Sequence, residues 1–299
     1  MTRLMTLLAT TAALATPLHA QEITEFRIGL LGGENAQDRM ASNECLRAYA
    51  EEALGVPVRL FTPADYNGVI QGLLGDALDM AWLGASAYAA VYVADEDKIE
   101  PVLVKTNLDG SYTYHSIGFA RADSGITSLD DMEGKSFAFA DPNSTSGFLI
   151  PNVELPAEGY SMTEGEYLSR IGFSGGHEQS IIAVVNGDYD AGVTWADGQG
   201  AWEDGYNSGA LRKAADSGIV DMNDIVEIWK SSPIPEGPVV LRQALPDDVK
   251  QTMIDLVAGL HDSDPTCAYG VAAGETAGFT PVTHEEYQTI IDIRRAEMN

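Results

Sequence analysis

The chain has 299 residues with a formal net charge of −28, and 45% of its residues are hydrophobic. That length is too great for one small domain and suits two lobes or one large α/β domain with a sizeable core. So acidic a surface repels nucleic acid and anionic lipid, so neither is expected as a partner, and an anionic ligand would need strong local donors to overcome the overall field.

The first twenty residues, "MTRLMTLLATTAALATPLHA", put Arg3 ahead of an apolar and small-residue stretch that ends in Leu18-His19-Ala20. This pattern predicts a secretory signal peptide over residues 1–20, cleaved after Ala20. A retained membrane anchor is the alternative, but the apolar part falls short of the ~20 residues a bilayer span needs. The chain is therefore expected to be exported. Cys45 and Cys267 are the only cysteines. In an exported chain they form either one disulfide or two buried thiols, and sequence alone does not give the Cα separation that decides.

From residue 26 the apolar pattern alternates. "FRIGLL" reads as a strand, "GGENAQDRM" opens a helix running through "CLRAYAEEAL", and "VRLFT" is the next strand. "ADYNGVIQGLLGDA" is a helix and "LDMAWLG" a third strand. Strands apolar on both faces between helices predict a sheet covered by helices. A second module follows, with "KSFAFA" as a strand, "STSGFLIPNVEL" beginning a helix, "HEQSIIAVVNGD" a helix and "YDAGVTWADG" a strand. The helix–strand units "NGVIQGLLGDALDMAWLG" and "QSIIAVVNGDYDAGVTWADG" echo each other loosely, which supports two similar lobes.

Two segments read as crossings between the lobes. One is "KTNLDGSYTYHSIGF"; the other is "EIWKSSPIPEGPVVL", in which three prolines hold an extended path. "PDDVKQTMIDLVAGLHD" is an amphipathic helix that returns with the tail to the first lobe. The expected division is residues 21–110 with 238–299 as lobe 1 and residues 111–237 as lobe 2. Ligands of open α/β sheets bind beyond the carboxyl ends of the strands, here in the cleft between lobes.

The stretch "DPNSTSGF" stands where a strand ends and a helix begins. The first helical N–H groups have no internal partners and carry the positive end of the macrodipole. With the hydroxyls of Ser144, Thr145 and Ser146 they make a cradle for a tetrahedral oxyanion, and Gly147 allows close approach. A helix N-cap needs only one such hydroxyl. Ser86 in "LGASAY" follows a lobe 1 strand and offers a further hydroxyl from across the cleft. No P-loop, HExxH or metal-spaced Cys/His set occurs, so no cofactor or metal is expected.

"DPNSTSGFLIP" also resembles the signature of the phosphonate-binding, PhnD-like periplasmic proteins of ABC importers. "RIGLLGGENAQDR", "FTPADYNGVIQGLLGDALDMAWLG", "SLDDMEGKSFAFADPNSTSG", "SGGHEQSIIAVVNGDYDAG" and "IWKSSPIPEGPVVLR" resemble their counterparts in the same order. The resemblance implies an α/β, two-lobed periplasmic-binding-protein fold of type II-like architecture, with mixed sheets flanked by helices and two crossover hinges. It implies a monomer that delivers its ligand to a membrane permease and ATPase, and a protein without enzymatic activity.

By position, Ser144, Thr145 and Ser146 match the hydroxyls that cradle the phosphonate, and His177 in "GGHE" matches a histidine donor to the same group. Tyr66 in "DYNGVI" and Tyr114 in "YTYHS" match two cleft tyrosines. Asp197 in "TWADG" falls where aminoethylphosphonate binders have a glutamate on the ligand amine. Those binders have a second carboxylate where this chain has Gly237, with Glu236 beside it as a substitute. The expected ligand is 2-aminoethylphosphonate or another small alkylphosphonate. Phosphite or phosphate binding stays open, as do a secreted hydrolase using His177 with Ser144 or Thr145, and a ligand-sensing partner of a membrane receptor.

Overall fold

The computed structural model describes residues 23–32 and 35–297, so the expected signal segment lies outside the described residues. The first half runs β1 (Phe26–Gly29), α1 (Ala36–Leu54), β2 (Val58–Phe61), α2 (Tyr66–Leu74), β3 (Met80–Trp82), α3 (Ala85–Ala94), β4 (Ile99–Thr106), β5 (Thr113–Arg121) and β6 (Ser136–Phe139). It continues with α4 (Ile150–Ala157), β7 (Arg170–Phe173), α5 (His177–Val185), β8 (Ala191–Ala196), α6 (Ala210–Asp216), β9 (Ile225–Lys230), β10 (Ile234–Pro235) and β11 (Pro238–Arg242). The tail forms α7 (Asp247–Ala258), α8 (Leu260–Ser263), α9 (Pro265–Val271), β12 (Gly278–Pro281) and α10 (Gln288–Glu297).

The strands form two mixed sheets. One has the order β12-β4-β11-β3-β1-β2, with β1 parallel to β2 and β3 and the other pairs antiparallel. The other has the order β10-β5-β8-β6-β7, with β9 also pairing β5. Each sheet is apolar on both faces because alternate side chains of a strand enter different cores. In β11, Val239 and Leu241 join one cluster with α1 and α7 residues, while Val240 joins another with α2 and α3 residues. In the second sheet Phe119 of β5 packs in one cluster and Ala120 in another. Each fully buried Leu, Ile or Phe stabilises such a core by about 1.5–3 kcal/mol. This is the two-lobed α/β arrangement the sequence predicts.

Three elements differ from the sequence reading. The residues 113–121, read as a crossing, form the long central strand β5. "ASAYAAVYVA" forms helix α3, with six of its ten residues buried; its even apolarity gave no periodic signal. Ser144 is an N-cap, and the turn it caps, Thr145–Leu149, is a single π-helical turn that leads into α4.

Cys45 of α1 and Cys267 of α9 are joined by a disulfide with a Cα separation of 5.9 Å. The chain passes between the sheets at β4–β5 and at β10–β11, and the two passages are hydrogen-bonded: Glu236 N–H donates to the Tyr112 carbonyl at 2.9 Å. Beside them, His115 Nδ1–H donates to the Ser231 carbonyl at 2.8 Å. Burial, and then the charge of Lys230, hold the His115 imidazole below its ordinary value of 6.5. Between the depressed and the ordinary value the unfolded chain binds more protons, so stability rises with pH through that window and is lost as the pH falls through it. His115→Asn keeps a donor to Ser231 and removes the titration. Its thermal midpoint is expected to fall less than that of the wild type between pH 7 and pH 5, as scanning calorimetry at the two pH values measures.

Candidate functional site

The carboxyl ends of β1, β3, β6 and β8 point toward one region between the sheets. There a cavity of about 140 Å³ is lined from both sides. The first sheet's side supplies Leu31, Tyr66, Trp82, Leu83, Gly84, Lys105 and Arg39, together with Val271 at the end of α9 and Ala272 and Ala273 after it. The second contributes Tyr114, Ser144, Thr145, Ser146, His177 and Trp195, and the passage between sheets contributes Glu236 and Gly237.

The Ser-Thr-Ser turn is built by the end of β6. Ala140 N–H donates to the Gly147 carbonyl at 2.9 Å, which folds the chain back on itself. Ser144 Oγ accepts from Gly147 N–H at 3.0 Å and lies 3.0 Å from His177 Nε2, at the start of α5. Ser116 Oγ donates to the Ser146 carbonyl at 2.6 Å, which fixes the turn against β5. A side chain at Gly147 would place Cβ 2.5 Å from Ala140 Cβ and 2.8 Å from Ser144 Oγ, so only glycine allows this turn. Burial pushes the Tyr114 phenol up to about 12, offset in part by hydrogen bonds with the Ser146 and Thr145 hydroxyls. Tyr114 therefore stays a neutral donor at any physiological pH.

The opposite wall meets this turn directly. Thr145 Oγ1 accepts from Ser86 N–H at 2.9 Å. Tyr66 N–H, at the start of α2, donates to Asp141 Oδ2 at 3.4 Å. Arg294 of α10 donates to Asn143. These bonds join elements of the two sheets, so the described conformation is a closed one.

Of the residues singled out from sequence, Ser144, Thr145, Ser146, His177, Tyr66, Tyr114 and Glu236 line the cavity, and Asp197 and Ser86 do not. Ser86 presents its backbone N–H to Thr145, and its Oγ is buried without a hydrogen-bond partner. Asp197 is 5% exposed; its N–H donates to the Ser208 carbonyl at 3.0 Å, and its carboxylate accepts from Gln199 N–H at 3.2 Å.

Gly237 packs so tightly that an added Cβ would stand 1.8 Å from the Leu83 carbonyl oxygen. No carboxylate fits at that position without moving the backbone. Gly237→Ala is expected to destabilise by about 1–3 kcal/mol through overpacking, read as a lowered denaturation midpoint. An unchanged midpoint would show that Leu83 and Gly84 can move aside at no cost.

Sequence reasoning missed Lys105, Arg39, Trp82 and Trp195. The two tryptophans end the two echoing helix–strand units, so the echo itself was their signal. Lys105 follows Val102, Leu103 and Val104 in β4 and is 5% exposed; a lysine at the end of so buried a strand was its signal. Arg39 gave none. With Arg39 and Lys105 facing a single carboxylate, the lining is locally basic in a chain of net charge −28. That local field favours an anion.

The family described as ABC transporter, phosphonate, periplasmic substrate-binding protein matches residues 28–287. The chain belongs to this family. The phosphonates-binding periplasmic protein of Escherichia coli is 30% identical over 250 residues, covering 82% of this chain and 69% of that protein. The phosphate-import protein PhnD of Mycolicibacterium smegmatis is 29% identical over 277 residues, covering 88% and 83%. The fold matches that of a binding protein component of an ABC phosphonate transporter from Pseudomonas aeruginosa, with a TM-score of 0.78 at 24% identity, over 92% of this chain and 86% of that one. Members of this phosphonate-binding family are transport components, and these relatives are binding proteins rather than enzymes.

Proposed function

We propose that this protein is exported by its signal segment and captures a small phosphonate, or the related phosphite or phosphate, in the periplasm. In this reading the ligand's phosphorus oxyanion sits on the Ser144–Ser146 turn. Tyr66, Tyr114 and His177 close around it, and Asp197 and Ser86 support the wall from behind. Lobe 1 is residues 21–110 with 238–299, and lobe 2 is residues 111–237. The lobes close as a hinge on the two chain passages, and the closed monomer docks on an ABC permease and its ATPase.

The observation that carries this reading is the cavity that all three turn residues line, with a histidine and a neutral phenol beside them. Closure is selected because the ligand reaches both lobes only in the closed state. The Escherichia coli and Mycolicibacterium smegmatis relatives are named for different ligands, phosphonates and phosphate, so the organic tail is the open question.

The pair Ser144 Oγ–His177 Nε2 at 3.0 Å also matches the nucleophile–base contact of a hydrolase. Calorimetry with methylphosphonate, followed by phosphorus NMR of the recovered ligand, separates the two readings. Stoichiometric binding with ligand returned unchanged is expected; released product would establish the hydrolase instead.

A further inference from the structure

Besides the serine turn, the cavity lining carries Lys105. Its Nζ lies 2.5 Å from Ser208 Oγ, 3.5 Å from Glu236 Oε1 and 5.7 Å from the centre of the Trp195 ring. Both members of this Lys105–Glu236 pair line the same cavity as the turn. Glu236 is the one carboxylate of the lining among the described residues, and its charge is already matched by an ammonium of the chain itself. The neighbouring position cannot add another, because Gly237 is pressed against the Leu83 carbonyl. Asp197 lies close enough to act on Glu236 electrostatically, but it is outside the lining.

We propose that Lys105 is the specificity-determining residue of this cavity: its ammonium occupies the place a ligand amine would take, so the protein selects phosphonates with short uncharged tails and rejects aminoalkylphosphonates. A ligand ammonium brought to Glu236 also meets Lys105, whose Nζ stands 3.5 Å from Oε1. Beside so buried an ion pair that like-charge contact is repulsive. Moving Lys105 aside would leave a buried charge without its partners. An alkyl tail meets no such cost and packs on the rings of Trp195 and Tyr114, which stand edge to face with centres 5.6 Å apart. The bond from Lys105 to Ser208 joins β4 to the loop before α6, so the ammonium is fixed there only when the lobes are closed.

The inference rests on the oxyanion reading, and the test keeps the two apart. Calorimetry compares methylphosphonate with an isosteric pair, propylphosphonate and 2-aminoethylphosphonate, which differ only in CH₃ against NH₃⁺. The wild type is expected to bind propylphosphonate roughly 100-fold more tightly than 2-aminoethylphosphonate. Lys105→Met frees Glu236 and is expected to narrow that ratio by about tenfold or more. Lys105→Met combined with Glu236→Gln removes both charges and is expected to restore the preference for the alkyl ligand. Equal or tighter binding of 2-aminoethylphosphonate by the wild type overturns the inference, whatever the variants do. A ratio unchanged in a folded Lys105→Met protein also overturns it. Failure of the wild type to bind any of the three ligands would instead overturn the oxyanion reading on which it stands.

Discussion

Replacing Ser144 and Thr145 together by alanine is expected to abolish measurable binding of every phosphonate. Each hydrogen bond from a hydroxyl to a charged group contributes about 1.5–3 kcal/mol, so two of them account for roughly a 10²- to 10⁴-fold loss of affinity. Both residues also work within the protein. Ser144 Oγ caps the turn through Gly147 N–H, and Thr145 Oγ1 accepts from Ser86 N–H across the cleft. Losing the cap costs about 1 kcal/mol of stability, too little to unfold the protein. The test is titration calorimetry beside thermal unfolding: lost binding with a near-normal midpoint is expected. Thr145→Ser keeps the hydroxyl and is expected to stay within about tenfold of the wild type. Binding that survives the double change would mean that the ligand is held elsewhere.

Removing the disulfide is expected to be the largest single loss of stability. Cys45 and Cys267 are 222 residues apart in sequence, so the bond restrains most of the unfolded chain. Loss of a native disulfide costs about 2–5 kcal/mol, and a long closed loop lies toward the upper end in the chain-entropy account. That is a large share of the about 5–15 kcal/mol that holds a typical protein folded. Both cysteines pack in the core between α1, α7 and α9, and Val271–Ala273 at the end of α9 form part of the cavity wall. Cys45→Ala with Cys267→Ala avoids stray thiol exchange. Its denaturant midpoint should fall well below that of the oxidised wild type, and the reduced wild type should follow it. Equal midpoints would mean that the bond restrains nothing that unfolding releases.

The sequence carried the site's centre more clearly than its edges. "DPNSTSGF" follows an apolar strand, and three hydroxyls there exceed what a helix cap requires, so the turn could be read without a structure. The strand–helix alternation and the return of the tail were legible for the same reason, since buried strands read as continuous apolar runs. Direction was not legible. Asp197 and Ser86 stand beside the ends of β8 and β3, and a position at a sheet edge fixes nearness to the cleft, not where the side chain goes. Asp197 turns to Gln199, and Ser86 offers its backbone instead of its hydroxyl. Lys105 stayed hidden because β4 and β5 are joined by a polar segment that reads as a plain crossing. Its partners Ser208 and Glu236 are more than a hundred residues away in sequence.

The most direct measurement is a crystal structure of the protein grown with methylphosphonate. The phosphonate oxygens are expected within about 3 Å of the Ser144, Thr145 and Ser146 hydroxyls, the distance of a charge-assisted hydrogen bond, with the methyl group toward Trp195. A phosphonate found anywhere else on the molecule, with the turn empty, would contradict the account.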